Sequence, residues 1–252
     1  MRDTAAVRTH WSHALAGAVG CALAVAVAGC GGAGHAARKP TAVRPGSVPT
    51  HAQAAAFASA VNLKAADVPG FAPSSKHQSE SSRERALQGQ LQRCAGPLPL
   101  GGGVLEAPSP SFKLKRDVLD LSVSSEVAVA RTGALASRAL AALNAPRVRR
   151  CFSHYLDLVL AGSGYRGAVP APVSIVTGTP PAPGAGGSFG WRVTASFILK
   201  GFKVSLYSDI LGFVLGPARV TLVSSGALRP FPAAIQQRLY SLLLARARAK
   251  AL

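Results

Sequence analysis

The stretch Val118-Leu119-Asp120-Leu121-Ser122-Val123-Ser124-Ser125-Glu126-Val127-Ala128-Val129-Ala130 decides the fold class. Leu119, Leu121, Val123, Val127 and Val129 alternate with Asp120, Ser122, Ser124 and Glu126. A period of two predicts a strand with an apolar face on a core and the other face solvated. Phe112-Lys113-Leu114-Lys115 extends it or pairs beside it. Downstream, Trp191, Val193, Ala195, Phe197 and Leu199 alternate with Arg192, Thr194, Ser196 and Lys200, and Phe202, Val204 and Leu206 continue the pattern. Val173–Thr177 reads as a further strand. A hairpin at Gly216-Pro217 joins 209–215 to 219–224, and 180–187 is a loop.

Helical spacing fills the remainder. Thr50 caps a helix through Val61, with Phe57 and Val61 on one face. A helix from Ser82 carries Leu87, Leu91 and Cys94 at helical intervals, which predicts Cys94 turned inward. A third runs over 131–143. Asn144 or Ala145 then starts a fourth, with Pro146 in its first turn. There Val148, Cys151, Phe152, Tyr155, Leu156 and Val159 form an apolar stripe that buries Cys151. A last helix follows Pro232, with Ile235, Leu239, Leu242 and Leu243 on one face; its later turns carry Arg238, Arg246, Arg248 and Lys250, cations that suit a helix C-terminus. Runs of strands joined by short turns, with helices before, between and after, predict an α+β fold: an antiparallel sheet packed against helices.

Composition agrees with a folded domain. Hydrophobic residues are 48% and charged ones 15%, so 252 residues can bury a core. The net charge of +18 excludes an acidic solvating protein. The N-terminus joins Arg2 and Arg8 to an apolar run over 14–29, too short and too rich in Ala and Gly for a membrane span. It ends in Val27-Ala28-Gly29-Cys30, which resembles the lipobox of bacterial lipoproteins. That resemblance implies cleavage before Cys30 and acylation of its thiol with a diacylglyceryl group, palmitate included. An uncleaved signal anchor and a plain secretory peptide are the alternatives. On the lipobox reading 1–29 is the signal peptide and 30–50, rich in Gly, Ala and Pro, is a tether. The globular domain is then 51–252, the cell membrane's extracytoplasmic face is the address, and nucleic acid is not a partner. Cleavage removes two arginines and one aspartate, which leaves +17.

Cys21 departs with the signal, and Cys30 carries lipid. Cys94 and Cys151 remain, and in an oxidising compartment they are expected to pair. Closing that loop is worth about 4 kcal/mol on the chain-entropy model; two buried free thiols are the alternative.

The element order, the segment Asn62-Leu63-Lys64-Ala65-Ala66-Asp67-Val68-Pro69-Gly70 and the two cysteines resemble the sensor-like lipoproteins of actinobacteria. Some of these are related to extracellular sensor domains of mycobacterial Ser/Thr kinases or to Mog1/PsbP-like folds. The resemblance implies a sensor-like α+β domain.

Catalytic patterns are not legible. His154 and Asp157 sit three apart on the fourth helix, off its apolar stripe, as a solvated pair. Ala161-Gly162-Ser163-Gly164-Tyr165 fails the Gly-x-Ser-x-Gly spacing of a nucleophile elbow. Gly101-Gly102-Gly103 lacks the Gly-Lys-Ser/Thr of a phosphate loop. No metal-ligand spacing and no cofactor motif occurs. Arg147, Arg149 and Arg150 cluster before Cys151, a candidate site for an anionic headgroup, an anionic wall polymer or an acidic protein partner; a solvated basic surface is the plainer reading. Two function classes follow: a non-catalytic binding module, with an apolar gap between sheet and helices as its expected pocket, and an envelope hydrolase with its site assembled from distant residues.

Overall fold

The computed structural model describes residues 48–74, 82–96, 103–116, 119–162, 168–199, 202–250 and 252. Cys30 and the lipobox, like Ser163 and the Gly101-Gly102 pair, lie outside them.

Five helices are described: α1 (His51–Val61), α2 (Ser82–Ala95), α3 (Gly133–Leu143), α4 (Pro146–Gly162) and α5 (Ala233–Ala249). Nine strands are β1 (Ala72–Ser74), β2 (Leu105–Pro108), β3 (Ser111–Arg116), β4 (Leu119–Val129), β5 (Ala168–Pro170), β6 (Ser174–Gly178), β7 (Gly187–Leu199), β8 (Phe202–Leu215) and β9 (Ala218–Ala227). They form one sheet in the order β1-β3-β4-β9-β8-β7-β5, with β2 also on β4 and β6 also on β7. All pairings are antiparallel. The fold is α+β, as the alternation predicts.

Local chemistry sets the boundaries. Thr50 and Gln53 form a reciprocal capping box at α1. The Thr132 hydroxyl accepts from the Leu135 N–H at the start of α3. The strand predicted over 202–206 and the one over 209–215 are a single fourteen-residue β8, because its alternation runs unbroken through Ser208. Gly216 takes φ +56° in the β8–β9 turn, a conformation that suits glycine. Gly212 lies beneath the Phe189 ring, where a Cβ would collide with the ring.

The sheet is covered on both faces. On one, Phe57, Ala58 and Val61 of α1 and Leu239, Leu243 and Leu244 of α5 pack on Leu121, Val123, Val127, Phe213, Val220 and Leu222. On the other, α2, α3 and α4 pack on β7, β8 and part of β9: Leu140, Phe152, Tyr155 and Leu156 meet Phe189, Trp191, Val193, Ile210 and Val223. Phe152 and Trp191 are 5.3 Å apart between ring centroids. Among the described residues, none of the core on this second face comes from β1 to β4.

Cys94 and Cys151 form a disulfide, with Cα atoms 5.7 Å apart, that ties α2 to α4. Cys151 is buried as its stripe predicts, but Cys94 is exposed. Leu87 faces the core and Leu91 is half-buried, so the bridge closes at the rim of the α2–α4 contact. No described helix is long and apolar enough to cross a membrane.

Candidate functional site

On the same face as the α2–α4 core, a polar stripe along β4 runs into that core at Val223 and Ala227 of β9. Along β4, the positions that alternate with the apolar ones are Asp120, Ser122, Ser124 and Glu126, about 7 Å from one to the next. Their partners on β9 are Ala227, Ser225, Val223 and Thr221. Ser225 in turn faces Ser208 on β8. Ser122, Ser225 and Ser208 therefore lie in one row across three strands, and the Ser225 hydroxyl donates to that of Ser208 at 3.1 Å. On the outer side, Lys113 and Lys115 of β3 sit opposite Ser122 and Asp120.

This face is the one expected to be solvated, and the structure corrects that. Asp120 and Ser122 are 7% exposed, Thr221 2% and Ser208 1%. A buried carboxylate ordinarily has partners, because an unpaired one forfeits its hydration. Asp120 Oδ1 has none. The other buried orphan among the described side chains is Trp191 Nε1 on the same face, in the row that runs Trp191, Ile210, Val223, Ser124.

At the far end of the stripe two more acids converge. Glu106 lies opposite Ala128, which lies opposite Arg219, and Glu126 is diagonal to both. Arg219 donates to Glu126 at 3.4 Å, with both side chains largely buried. Burial pushes the Glu126 carboxyl above its ordinary value against the pull of Arg219. Burial also raises Glu106, and the charge of Glu126 adds to it, so its carboxyl titrates at about 7 although Arg219 opposes the rise. A carboxyl poised near neutrality can hold or release a proton at working pH.

Three other acids, Asp67, Asp209 and Asp157, are spent on structure. Asp67 accepts from both terminal nitrogens of Arg246 at 2.7 Å. Burial alone would raise that carboxyl, but the Arg246 hydrogen bonds, the Lys64 N–H and the positive charges hold it below the usual range. Arg238 donates to the Asp67 carbonyl, so two cations predicted to serve the α5 terminus instead fasten α5 to the turn after α1. Asp209 takes a bidentate contact from Arg192 at 2.7 and 3.0 Å. Gln236 bridges it to Ser224 beneath α5. These pairings join residues distant in sequence, and no local spacing announces them.

His154 is exposed. Asp157 instead accepts the Val173 N–H at 3.0 Å and anchors the loop before β6. The basic cluster is not convergent. Arg147 donates to the Cys94 carbonyl at 2.7 Å, Arg149 reaches Thr177 at 3.4 Å, and Arg150 is exposed. Among the described residues no group of three or more His, Cys, Asp or Glu could hold a metal ion.

No protein-family model matches the chain, and no curated protein is similar to it. Among solved structures, a crystal structure of a Pseudomonas aeruginosa protein of unknown function shares 9% identity, covering 57% of this chain and 90% of that one. Its TM-score of 0.19 is too low to support any inference.

Proposed function

We propose that this chain is a non-catalytic, sensor-like binding module of the cell envelope, held to the extracytoplasmic face of the membrane by lipid on Cys30. The observation that carries the binding reading is the orphaned Asp120 oxygen in a buried row of hydroxyls. A polar floor of that kind is costly to the folded protein alone and suits a ligand that supplies the missing hydrogen bonds. The polar character of the stripe favours a polar ligand over an acyl chain. The spread of Arg147, Arg149 and Arg150 around α4 makes an anionic polymer or acidic protein a peripheral partner there. Nucleic acid is no part of the reading.

The test is differential scanning fluorimetry of the purified protein against lipids, anionic wall polymers, saccharides and polyamines. A ligand-dependent rise in Tm that Asp120→Asn abolishes supports binding at the stripe; none across all four classes refutes it.

A second reading, an envelope hydrolase, rests on Glu106 and Glu126. An acid that titrates at about 7 beside a second carboxyl is the raw material of general acid–base catalysis. Turnover of an ester, peptide or glycan substrate that disappears in Glu106→Gln would favour it.

A further inference from the structure

The end of the sheet where β7 meets β8 carries apolar side chains that the core does not use. Leu199 pairs with Phe202 there, and Ile198 with Lys203. β9 stops at Ala227, opposite Leu206, so β8 runs on beyond it toward Phe202. Phe202 is 76% exposed and Ile198 50%. Leu228, whose N–H donates to the Ser205 carbonyl at 2.8 Å, joins the same end and is 38% exposed. Among the described residues it is the non-glycine with a left-handed backbone, at φ +67°, a conformation costly for a leucine. Alternation places Ile198 on the face that α1 and α5 cover further along, and Phe202 on the opposite face. Apolar groups on both faces of a strand end suit a medium that surrounds the end, whereas a flat protein surface would cover only one of them. The exposed residues occupy about 7 Å of strand, within the depth to which apolar side chains enter the headgroup boundary of a bilayer. Cations flank them: Lys203 opposite Ile198, Arg229 after Leu228, and Lys115 at the end of β3, all exposed and none in an ion pair among the described residues. Asp120, the acid on these strand ends, is buried.

We propose that this end of the sheet docks on an anionic bilayer, with Ile198, Phe202 and Leu228 entering the headgroup boundary and Lys203 and Arg229 on lipid phosphates. The inference rests on the proposed Cys30 anchor for its nearness to a membrane. Residues 31–47 can span up to about 60 Å, enough for the domain to turn this end onto the surface.

The experiment places the acylated full-length protein in phosphatidylcholine vesicles with and without phosphatidylglycerol, and reads tryptophan fluorescence of Phe202→Trp against the unsubstituted protein. With phosphatidylglycerol the added tryptophan should shift to the blue and be quenched by brominated acyl chains. Lys203→Gln with Arg229→Gln should lower the ratio of inserted to free ends about thirtyfold, and salt should lower it too. Ile198→Ser should also lower it without lowering Tm, since the side chain is half in water already. Arg150→Gln, on an exposed cation of α4, should change nothing. Equal quenching in both vesicles, indifferent to Lys203 and Arg229, would overturn the anionic assignment. Self-association in sedimentation that Phe202→Ser abolishes, without quenching, would make this end an interface between copies and overturn the proposal. An acylated protein whose Phe202→Trp stays unquenched in every vesicle would overturn it and leave the anchor standing. A protein that carries no acyl chain would overturn the anchor, while quenching in that protein would still support the docking end.

Discussion

Replacing Glu106 with glutamine should stabilise the protein above neutral pH and leave it unchanged in acid. The folded carboxyl, lifted first by burial and then by Glu126, keeps its proton up to about 7, against an ordinary value of 4.5. Between those values the native state binds more protons than the unfolded one. Stability therefore falls as pH rises through that window and stays lower above it. At about 1.4 kcal/mol per pH unit, the gap corresponds to roughly 3 kcal/mol for a side chain sealed from water. Glu106 is only half-buried, and solvent screening brings the expected effect to about 1–2 kcal/mol. Glutamine keeps the size and removes the titration. Urea denaturation of both proteins at half-unit steps from pH 4.5 to 8.5 reads the effect directly. The curves should meet near pH 4.5 and diverge by about 1–2 kcal/mol at pH 8, with the variant the more stable. Glu126→Gln in the same series should pull the Glu106 transition down in pH by removing the like charge. Parallel curves across the range, or a variant less stable at pH 8, would refute the reasoning: Glu106 would then be an ordinary solvated carboxylate.

Mass spectrometry of the protein from its native envelope should find Cys30 at the mature N-terminus with acyl chains attached, and Cys30→Ser should leave the precursor uncut or release the protein. Replacing Cys94 and Cys151 together with alanine should lower stability by about 4 kcal/mol in non-reducing urea denaturation, because the closed loop no longer restricts the unfolded chain. Arg246→Met should cost about 2–3 kcal/mol at pH 7, since it strands the Asp67 carboxylate in a largely buried site. That cost should shrink as the pH falls through the carboxylate range, where protonated Asp67 no longer needs its partner; calorimetry at pH 7 and pH 3.5 checks both limits.

Much of the architecture is legible because it rests on local periodicity. Leu121, Val123, Val127 and Val129 do lie on a core face, and Val148 to Leu156 do form the buried stripe of α4. Thr50 and Thr132 cap helices where a hydroxyl is needed. What periodicity cannot reveal is the cover on the opposite face. Alternation separates Ser122 and Asp120 from the core, and a polar residue off the core is read as solvated; their burial depends on how the layers assemble. The short β5 escapes for the same reason, since three residues carry no period and its place is set by pairing with the end of β7. Cys94 illustrates the limit of helical spacing: it marks the side of α2 that meets α4, but the depth of the contact decides exposure, and there the disulfide closes at the rim.

The net charge points one way and the chemistry another. A chain at +18 directs attention to its cations and to anionic partners. Yet Arg246 and Arg192 are occupied by Asp67 and Asp209, and Arg147 by a carbonyl. Scarce acids are the more informative set, because each must either neutralise a cation or serve something else. Asp67, Asp209 and Asp157 have structural partners. Glu106, Asp120 and Glu126 share one face of the sheet, where Arg219 donates to Glu126 and its charge also acts on Glu106. Random scatter over so basic a surface would more readily place a carboxylate beside a free cation than bury one with an unmatched oxygen. Retaining Asp120 in that position costs stability that an alanine or serine would not cost. That unmatched oxygen, set among hydroxyls that complement one another, is the observation on which the proposed binding reading rests.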